Sequence, residues 1–361
     1  MTGQRSWRRE QLGRAANALG AAVLFGLSAP VAKMLLAGTE PLVLAGLLYL
    51  GAGFGLLIAG WLTSVRRRET PRTHEAPLRG ADFPILAAMV VAGGVAAPAL
   101  MTLGLQRVSA VSGSLLLNLE APATIVLAVM LFGEHLGRRE VLGASLVALG
   151  AAFLTYAPGD LNADTIGAVA ILLACLGWAI DNNLTQRLSV RSPVALVRTK
   201  GLAAGTITLA LALGVGGEMP PVRYVVGGLA LGFASYGISV VLAVRALRSL
   251  GAARHAAFFA TAPFVGAVAA VPLLGEVIGA REAVVGGVMA LGVALLLSQR
   301  HAHRHVHEPL EHEHAHLHDE HHQHEHPPSE RGREPHSHGH VHEPVSHAHS
   351  HVSDVHHRHR H

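Results

Sequence analysis

The side chain in this sequence with the clearest chemical potential is a single carboxylate, Glu120, inside a long apolar stretch. No Lys or Arg occurs between Arg107 and Arg138, and the residues around Glu120 are mainly Leu, Val and Ala, with Asn118 nearby. An ionisable side chain within an apolar membrane helix costs roughly 2.5–3.5 kcal/mol, so it usually faces the interior of a bundle and has a partner or a function. Two interpretations are open: Glu120 exchanges a proton or binds an amine, or it is a protonated or hydrogen-bonded residue that fixes helix packing. Asn118 is a candidate for the same site, although residues i and i+2 do not share a helix face.

A second polar group consists of Asp181, Asn182 and Asn183, which follow Trp178 in another apolar stretch. Consecutive helical residues point about 100° apart, so at most two of the three can face one cavity. They either line a path through the bundle or lie near a helix end, where water and Arg187 satisfy them. Trp178 either lines the same path or anchors the helix at a membrane interface, where tryptophan is enriched.

Four more titratable residues lie near the ends of apolar stretches. Lys33 either extends to water at the end of its helix or pairs with an anionic substrate. His255 is either a packing residue or a residue that contacts substrate or protons. Glu134 and Glu276 each follow a glycine in a loop, and we expect them to cap the helices that follow or to pair with the nearby arginines.

The C-terminal tail, residues 300–361, contains 23 of the 26 histidines. Most of them alternate with other residues, and in an extended chain residues i and i+2 project to the same side. Neutral imidazoles arranged in this way suit Zn, Ni, Co or Cu, and such tracts are typical of metal binding. The candidate ligands are His301, His303, His305, His307, His312, His314, His316, His318, His336, His338, His340, His342, His347, His349 and His351. The alternative is a solvated low-complexity extension; in either case we expect the tail to be disordered without metal.

These residues belong to a chain that is largely apolar. Half of its 361 residues are hydrophobic and only 14% are charged, whereas a soluble domain carries about 25% charged residues. Runs of 18 or more apolar residues are typical of membrane-spanning helices, because about 20 helical residues cross the hydrocarbon layer. The sequence therefore predicts an all-α polytopic membrane protein with ten transmembrane helices. The predicted spans are roughly residues 15–37, 41–63, 83–105, 109–132, 139–157, 164–186, 194–215, 224–246, 252–274 and 280–299.

Basic residues indicate how these spans are oriented. They concentrate in the N-terminal segment 1–14 and in alternate loops, including 66–79 and 187–200, whereas the other loops hold only Arg107, Arg223 and Arg281. Loops rich in Lys and Arg lie on the cytoplasmic side. The sequence thus predicts a protein of the bacterial cytoplasmic membrane with both termini in the cytoplasm.

The sequence contains an internal repeat with a shift of 142 positions. Leu105–Ala110 corresponds to Leu247–Ala252, and Gly133–Glu140 corresponds to Gly275–Glu282. The repeats are residues 15–157 and 164–299. Since each repeat has an odd number of spans, five, the second must enter the membrane upside down relative to the first. Inverted repeats are a recognised plan of secondary transporters, with the substrate site near the membrane midplane between the halves.

At these residues the chain resembles the EamA family of the drug/metabolite transporter superfamily. The resemblance depends on Leu115–Pro122, on the Gly-Glu loops at 133 and 275, and on the Gly-x(3)-Pro-x(2)-Lys run from Gly26 to Lys33. Residues 177–185 are similar to a bacterial subgroup of that family. The resemblance implies a bundle of two five-helix repeats and the export or exchange of small metabolites. The second repeat has Ala262 in place of Glu120, so symmetric site chemistry is not expected.

Three functions are compatible with the sequence. The first is a carrier of small organic metabolites, driven by protons or by exchange, with the tail as a metal-binding or regulatory appendage. The second is a divalent-metal exporter fed by the tail, and the third is a membrane-tethered metal buffer or sensor. No nucleophile–base pair, phosphate loop or nucleotide motif occurs, so we expect no enzyme, no required cofactor and no nucleic-acid partner. The expected partners are the lipid bilayer, a small-molecule substrate and divalent metals; the sequence is compatible with a homodimer but does not fix the oligomeric state.

Overall fold

A computed structural model describes residues 16–66, 78–132, 137–155, 163–188, 191–250, 258–297, 301–306, 310–316, 336–342 and 346–351. Apart from the tail, nearly all of these residues are helical. The helices, numbered in chain order, are α1 (Ala16–Leu35), α2 (Pro41–Arg66), α3 (Phe83–Met89), α4 (Ala97–Arg107), α5 (Ala110–Leu116), α6 (Glu120–Phe132), α7 (Arg138–Thr155), α8 (Ala163–Arg187), α9 (Pro193–Gly214), α10 (Val222–Leu231), α11 (Ser239–Leu250), α12 (Ala262–Leu274) and α13 (Ala280–Leu297).

Several spans are continuous helices whose geometry changes part of the way along. The first π segment, Val90–Ala96, joins α3 to α4, and the second π segment, Gly232–Ile238, joins α10 to α11. The two begin 142 positions apart, which is the shift of the sequence repeat. A 3-10 turn, Leu117–Leu119, joins α5 to α6, and another, Gly80–Asp82, precedes α3.

Prolines account for two of these irregularities. A proline inside a helix has no N–H, and its ring collides with the carbonyl four residues earlier. For Pro98 that residue is Gly94, in the first π segment, and for Pro122 it is Asn118, in the 3-10 turn before α6. The hydrogen-bond pattern of the helix therefore changes just before each proline.

Close backbone contacts hold the helices together. A Cβ atom on Gly201 of α9 would lie 2.8 Å from the backbone nitrogen of Gly53 in α2, and one on Gly143 of α7 would lie 2.6 Å from the carbonyl oxygen of Gly292 in α13. Small residues of this kind let membrane helices approach each other closely. In both pairs, one helix comes from the first sequence repeat and the other from the second.

Contacts between helix ends define two ends of the bundle. One of them, the Glu276 end, includes Lys33, the turn 105–111, Glu276 and Arg281, which are joined by hydrogen bonds described below. The other, the Asp82 end, includes the ion pair between Asp82 and Arg191, whose closest atoms are 2.8 Å apart. Successive spans run between these ends in alternate directions.

The outer surface of the bundle is apolar. Large side chains such as Trp61, Phe83, Met130 and Leu149 are more than 60% exposed, which is expected where lipid surrounds the helices. Among the described residues, eight helices are long and apolar enough to cross a membrane. Of the other predicted spans, α12 has 13 residues, and α7 has 18 but begins with Arg138, Arg139 and Glu140.

The tail contains four short strands: β1 (His301–Val306), β2 (Leu310–His316), β3 (His336–His342) and β4 (Ser346–His351). Strand β1 pairs with β4 and β2 with β3, both antiparallel. The sequence predicts a disordered tail, so these segments differ from that prediction. The reason is that alternating residues with a period of two are also the pattern of a strand.

Candidate functional site

The Glu120 carboxylate is bound by residues of another helix. The side-chain nitrogen of Asn182, on α8, donates a 2.8 Å hydrogen bond to Oε1 of Glu120. The same amide group lies 3.4 Å from Oγ1 of Thr124, one turn further along α6. Glu120 is half-buried and Asn182 is exposed.

The break in the helix explains the position of this carboxylate. Because Pro122 interrupts the regular pattern, Glu120 becomes the first residue of α6. The 3-10 turn leads directly into α6, and the backbone N–H of Glu120 donates to the carbonyl of Leu117. Glu120 therefore lies at the point inside the span where the helix changes its hydrogen-bond pattern.

A buried ion pair lies beside Glu120. Asp181, on α8, pairs with the ammonium group of Lys200, on α9, and both side chains are nearly buried, at 10% and 13% exposed. Asp181 directly precedes Asn182, whose side chain binds the Glu120 carboxylate. Oδ1 of Asp181 is buried without a hydrogen-bond partner among the described residues.

The first π segment supports this ion pair. Its geometry leaves the carbonyl of Gly93 available, and that oxygen accepts hydrogen bonds from the hydroxyl of Tyr49 at 2.5 Å and from the indole nitrogen of Trp178 at 3.2 Å. A Cβ atom on Gly93 would lie 2.7 Å from Oδ2 of Asp181. π-Helical turns of this kind are frequent at functional sites.

Trp178 is therefore not an interface anchor, which is one of the two interpretations that the sequence allows. It is 6% exposed and contacts the π segment inside the bundle. Lys200 and Tyr49 belong to the same cluster, but neither stands out in the sequence. Lys200 follows a series of loop arginines and resembles a topology signal, and Tyr49 lies within an ordinary apolar run.

The other predicted site residues lie elsewhere. Asn118 is buried and donates to the carbonyl of Leu115 in its own span, at 3.0 Å. Lys33 donates to the carbonyls of Leu105, at 2.6 Å, and Val108, at 2.5 Å, at the C-terminal end of α4. The structure thus does not place either side chain in contact with Glu120. His255 and Glu134 lie outside the described residues.

The expectation that Glu276 caps the helix after it is wrong, because the helix that it caps belongs to the other repeat. Its carboxylate accepts hydrogen bonds from the backbone nitrogens of Ala110, at 2.7 Å, and Val111, at 2.8 Å, at the start of α5. Arg281 donates to the carbonyl of Phe153 in α7, at 2.6 Å. The reason is that the fold brings the two repeats together here, and a carboxylate satisfies the free N–H groups of whichever helix begins next to it.

The cluster of Glu120, Asp181 and Lys200 has defined electrostatic properties. With all three groups ionised, two negative charges and one positive charge leave a net charge of −1, which a proton or a cationic group on a solute can neutralise. No group of three or more His, Cys, Asp or Glu residues that could hold a metal occurs among the described residues. The arrangement suits proton exchange or the binding of an amine.

Comparisons with known proteins agree with this architecture. The family model of the EamA-like transporter family matches residues 15–156 and again residues 165–298. An uncharacterised transporter of Methanothermobacter thermautotrophicus is 30% identical over 296 residues, which are 76% of this chain and 83% of that protein. A probable terminal-alkyne amino-acid exporter of Streptantibioticus cattleyicolor is 27% identical over 252 residues, 69% of this chain and 81% of that protein.

One solved crystal structure of a protein has the same fold. It aligns with a TM-score of 0.57 at 19% identity, and the match covers 79% of this chain and 98% of that one.

Proposed function

Because this chain belongs to the EamA-like transporter family, we propose that it is a secondary carrier, not an enzyme, that moves small organic metabolites across the bacterial cytoplasmic membrane by alternating access. The family and the apolar helices make it a multi-pass membrane transporter of small molecules. The observation that carries the finer proposal is the Glu120 carboxylate, bound across two helices beside the Asp181–Lys200 pair. Export or exchange, coupled to protons, is the proposed mode.

We also propose ten spans in two inverted repeats, with both termini in the cytoplasm. Three contacts between repeat-related helices support the inversion: α2 with α9, α5 with α12, and α7 with α13. A further support is that α5 begins at the Glu276 end and α6 continues away from it, so the C-terminal end of α6 lies opposite the end that holds Gly275. With this orientation, the Glu276 end faces outwards and the Asp82 end faces the cytoplasm, as the loop arginines predict.

A primary amine is the proposed chemical feature of the substrate. With Glu120 ionised, the site carries one net negative charge, and carboxylate and amide oxygens are the acceptors that an ammonium group needs. Amino acids are the first compounds to test, because one relative is named as a probable amino-acid exporter. Proton coupling through Glu120 explains how such a solute could be released: a proton and an ammonium group compete for the same carboxylate.

The test is an uptake screen with the purified protein in liposomes, comparing wild type with Glu120→Gln on amino acids and divalent metals. Charge-assisted hydrogen bonds are worth about 1.5–3 kcal/mol, so Glu120→Gln should reduce the transport of an amine by roughly 10- to 100-fold. Glu140→Gln is the matched control, because Glu140 caps its own helix by accepting from Gly137. Equal transport by wild type and Glu120→Gln would refute the role of Glu120.

We propose that the tail is a metal-binding appendage of the carrier. Its histidine tracts, with His301, His312, His336 and His347 at their starts, support this, and Zn, Ni, Co or Cu suit imidazole ligands. Deleting residues 301–361 should abolish metal binding measured by calorimetry and leave amine transport unchanged. If the deletion instead abolishes metal efflux from vesicles, the protein is a metal exporter. If the intact chain transports none of the solutes, the protein is a membrane-tethered metal buffer or sensor.

A further inference from the structure

The contact between Glu276 and α5 joins the two repeats at the Glu276 end. Glu276 lies between α12 and α13, whereas Ala110 and Val111, at the start of α5, lie 166 and 165 positions earlier in the chain. Both carboxylate oxygens are used, one for each backbone nitrogen. The contact thus joins a loop of the second repeat directly to the backbone of the first.

The chemistry of this contact makes it a strong but reversible one. The first N–H groups of a helix lack partners within it, and the positive end of the helix dipole attracts a negative charge. Glu276 satisfies the groups of Ala110 and Val111, and the hydroxyl of Ser109 accepts from Ser112 at 3.0 Å. The start of this span is therefore capped from two sides, once by its own chain and once by the other repeat.

Directly beneath the contact, helices of the two repeats pack closely. A Cβ atom on Gly266 of α12 would lie 2.6 Å from the carbonyl oxygen of Gly26 in α1 and 2.8 Å from Oγ of Ser114 in α5. Ser114 is fully buried. Helices α1, α5 and α12 thus meet without space for a solute, one helical turn along α5 from the residues that Glu276 binds.

We infer that Glu276 is a positioning residue for transport: its contact with Ala110 and Val111 holds the two repeats together at the Glu276 end and must break for the path to open on that side. This inference rests on the proposed alternating access. Glu276 is distant from the Glu120 cluster, and its contact acts at one end of the bundle only.

Labelling with a membrane-impermeant maleimide, added to intact cells, tests the inference. In a Cys175→Ala background, Ser114→Cys places the reporter thiol in the closed contact below Glu276. Losing the charge of Glu276 weakens a charge-assisted bond, so Glu276→Gln should raise the labelling rate of this thiol about tenfold. Glu276→Asp, which keeps the charge, should restore much of the slow labelling.

Two controls separate release of this contact from general loosening. Glu282 lies in the first turn of its own helix, α13, and its Oε2 would be 2.6 Å from a Cβ atom on Gly279. Glu282→Gln removes this carboxylate and should leave the labelling rate of the thiol at position 114 unchanged. In the otherwise native chain, Cys175 is 0% exposed next to α5, and Glu276→Gln should not make it reactive. An unchanged rate for the thiol introduced at position 114, or equal acceleration of that thiol and of Cys175, would overturn the inference.

A second variant tests the inference even if Glu276→Gln does not fold. This variant keeps Glu276: in the Cys175→Ala background, Ser109→Cys with Val277→Cys, at the exposed positions next to Ala110 and Glu276, can be joined by a flexible, cleavable thiol cross-linker. Cross-linking should stop transport, and cleavage should restore it; full transport by the cross-linked protein would refute the inference. The labelling experiment needs no substrate, so a labelling response without transport of any amine would count against the proposed cargo and not against Glu276.

Discussion

Two ion pairs of this protein have the same exposure but different surroundings, and this difference gives a sharp prediction. Asp181–Lys200 lies beside Glu120, whereas Asp82–Arg191 lies at the Asp82 end; in both, the basic side chain is 13% exposed and the acidic one 10%. Breaking a buried pair by removing one partner costs about 3–5 kcal/mol, because a buried charge remains without compensation. Removing both partners together costs much less.

The structure indicates which single substitution is the more harmful. Asp181 has Lys200 as its partner, and its Oδ1 makes no hydrogen bond among the described residues. Asp82 keeps the backbone N–H of Arg79, at 2.7 Å, after Arg191 is lost. We therefore expect Lys200→Met to lower the unfolding temperature in detergent by several degrees, and Arg191→Met to lower it less.

The double variants separate stability from function. Asp181→Asn with Lys200→Met, and Asp82→Asn with Arg191→Met, should each recover most of the lost thermal stability. Amine transport in liposomes should recover only in the second, because only the first pair adjoins Asn182, which binds the Glu120 carboxylate. If the Asp181–Lys200 double variant regains both stability and transport, the pair is structural and the assignment of the site is wrong.

Two further predictions concern the first π segment. Gly93→Ala should reduce folded yield and transport together, because the new methyl group would overlap the side chain of Asp181; Gly60→Ala, which meets no atom within 4 Å, should change neither the yield on gel filtration nor the uptake rate. Trp178→Phe removes one of two donors to the Gly93 carbonyl, so it should cost about 1 kcal/mol of stability, measured by denaturant unfolding, with Tyr49 still bound to that carbonyl.

The site illustrates where sequence reasoning ends. Glu120 and Asn182 could be selected from the sequence, because a charged or amide side chain in an apolar helix stands out. Lys200 could not, since a lysine at the start of a helix after several arginines has the same appearance as a loop charge. Its partner, Asp181, is 19 positions away on another helix, and only the crossing of α8 and α9 brings the two together.

The contacts of Lys33 and Glu276 show a similar limit. Both residues stand out in the sequence as charged positions at helix ends, and both do bind backbone groups. Their targets, at 105–108 and 110–111, belong to distant parts of the chain. A sequence pattern indicates that a helix end needs a partner, but it does not indicate which side chain supplies one.

By itself, the sequence determined the membrane character, the family and the repeat, because long apolar runs and a 142-residue periodicity are properties of the chain alone. Pro98 and Pro122 account for two of the places where helices deviate, but the second π segment, Gly232–Ile238, contains no proline. Only the tertiary structure decided which charges meet: Lys200 with Asp181, Asn182 with Glu120, and Glu276 with α5. The physical reason is that hydrophobicity acts along each segment, whereas an ion pair or a cap exists only when packing brings two separate segments within about 3 Å.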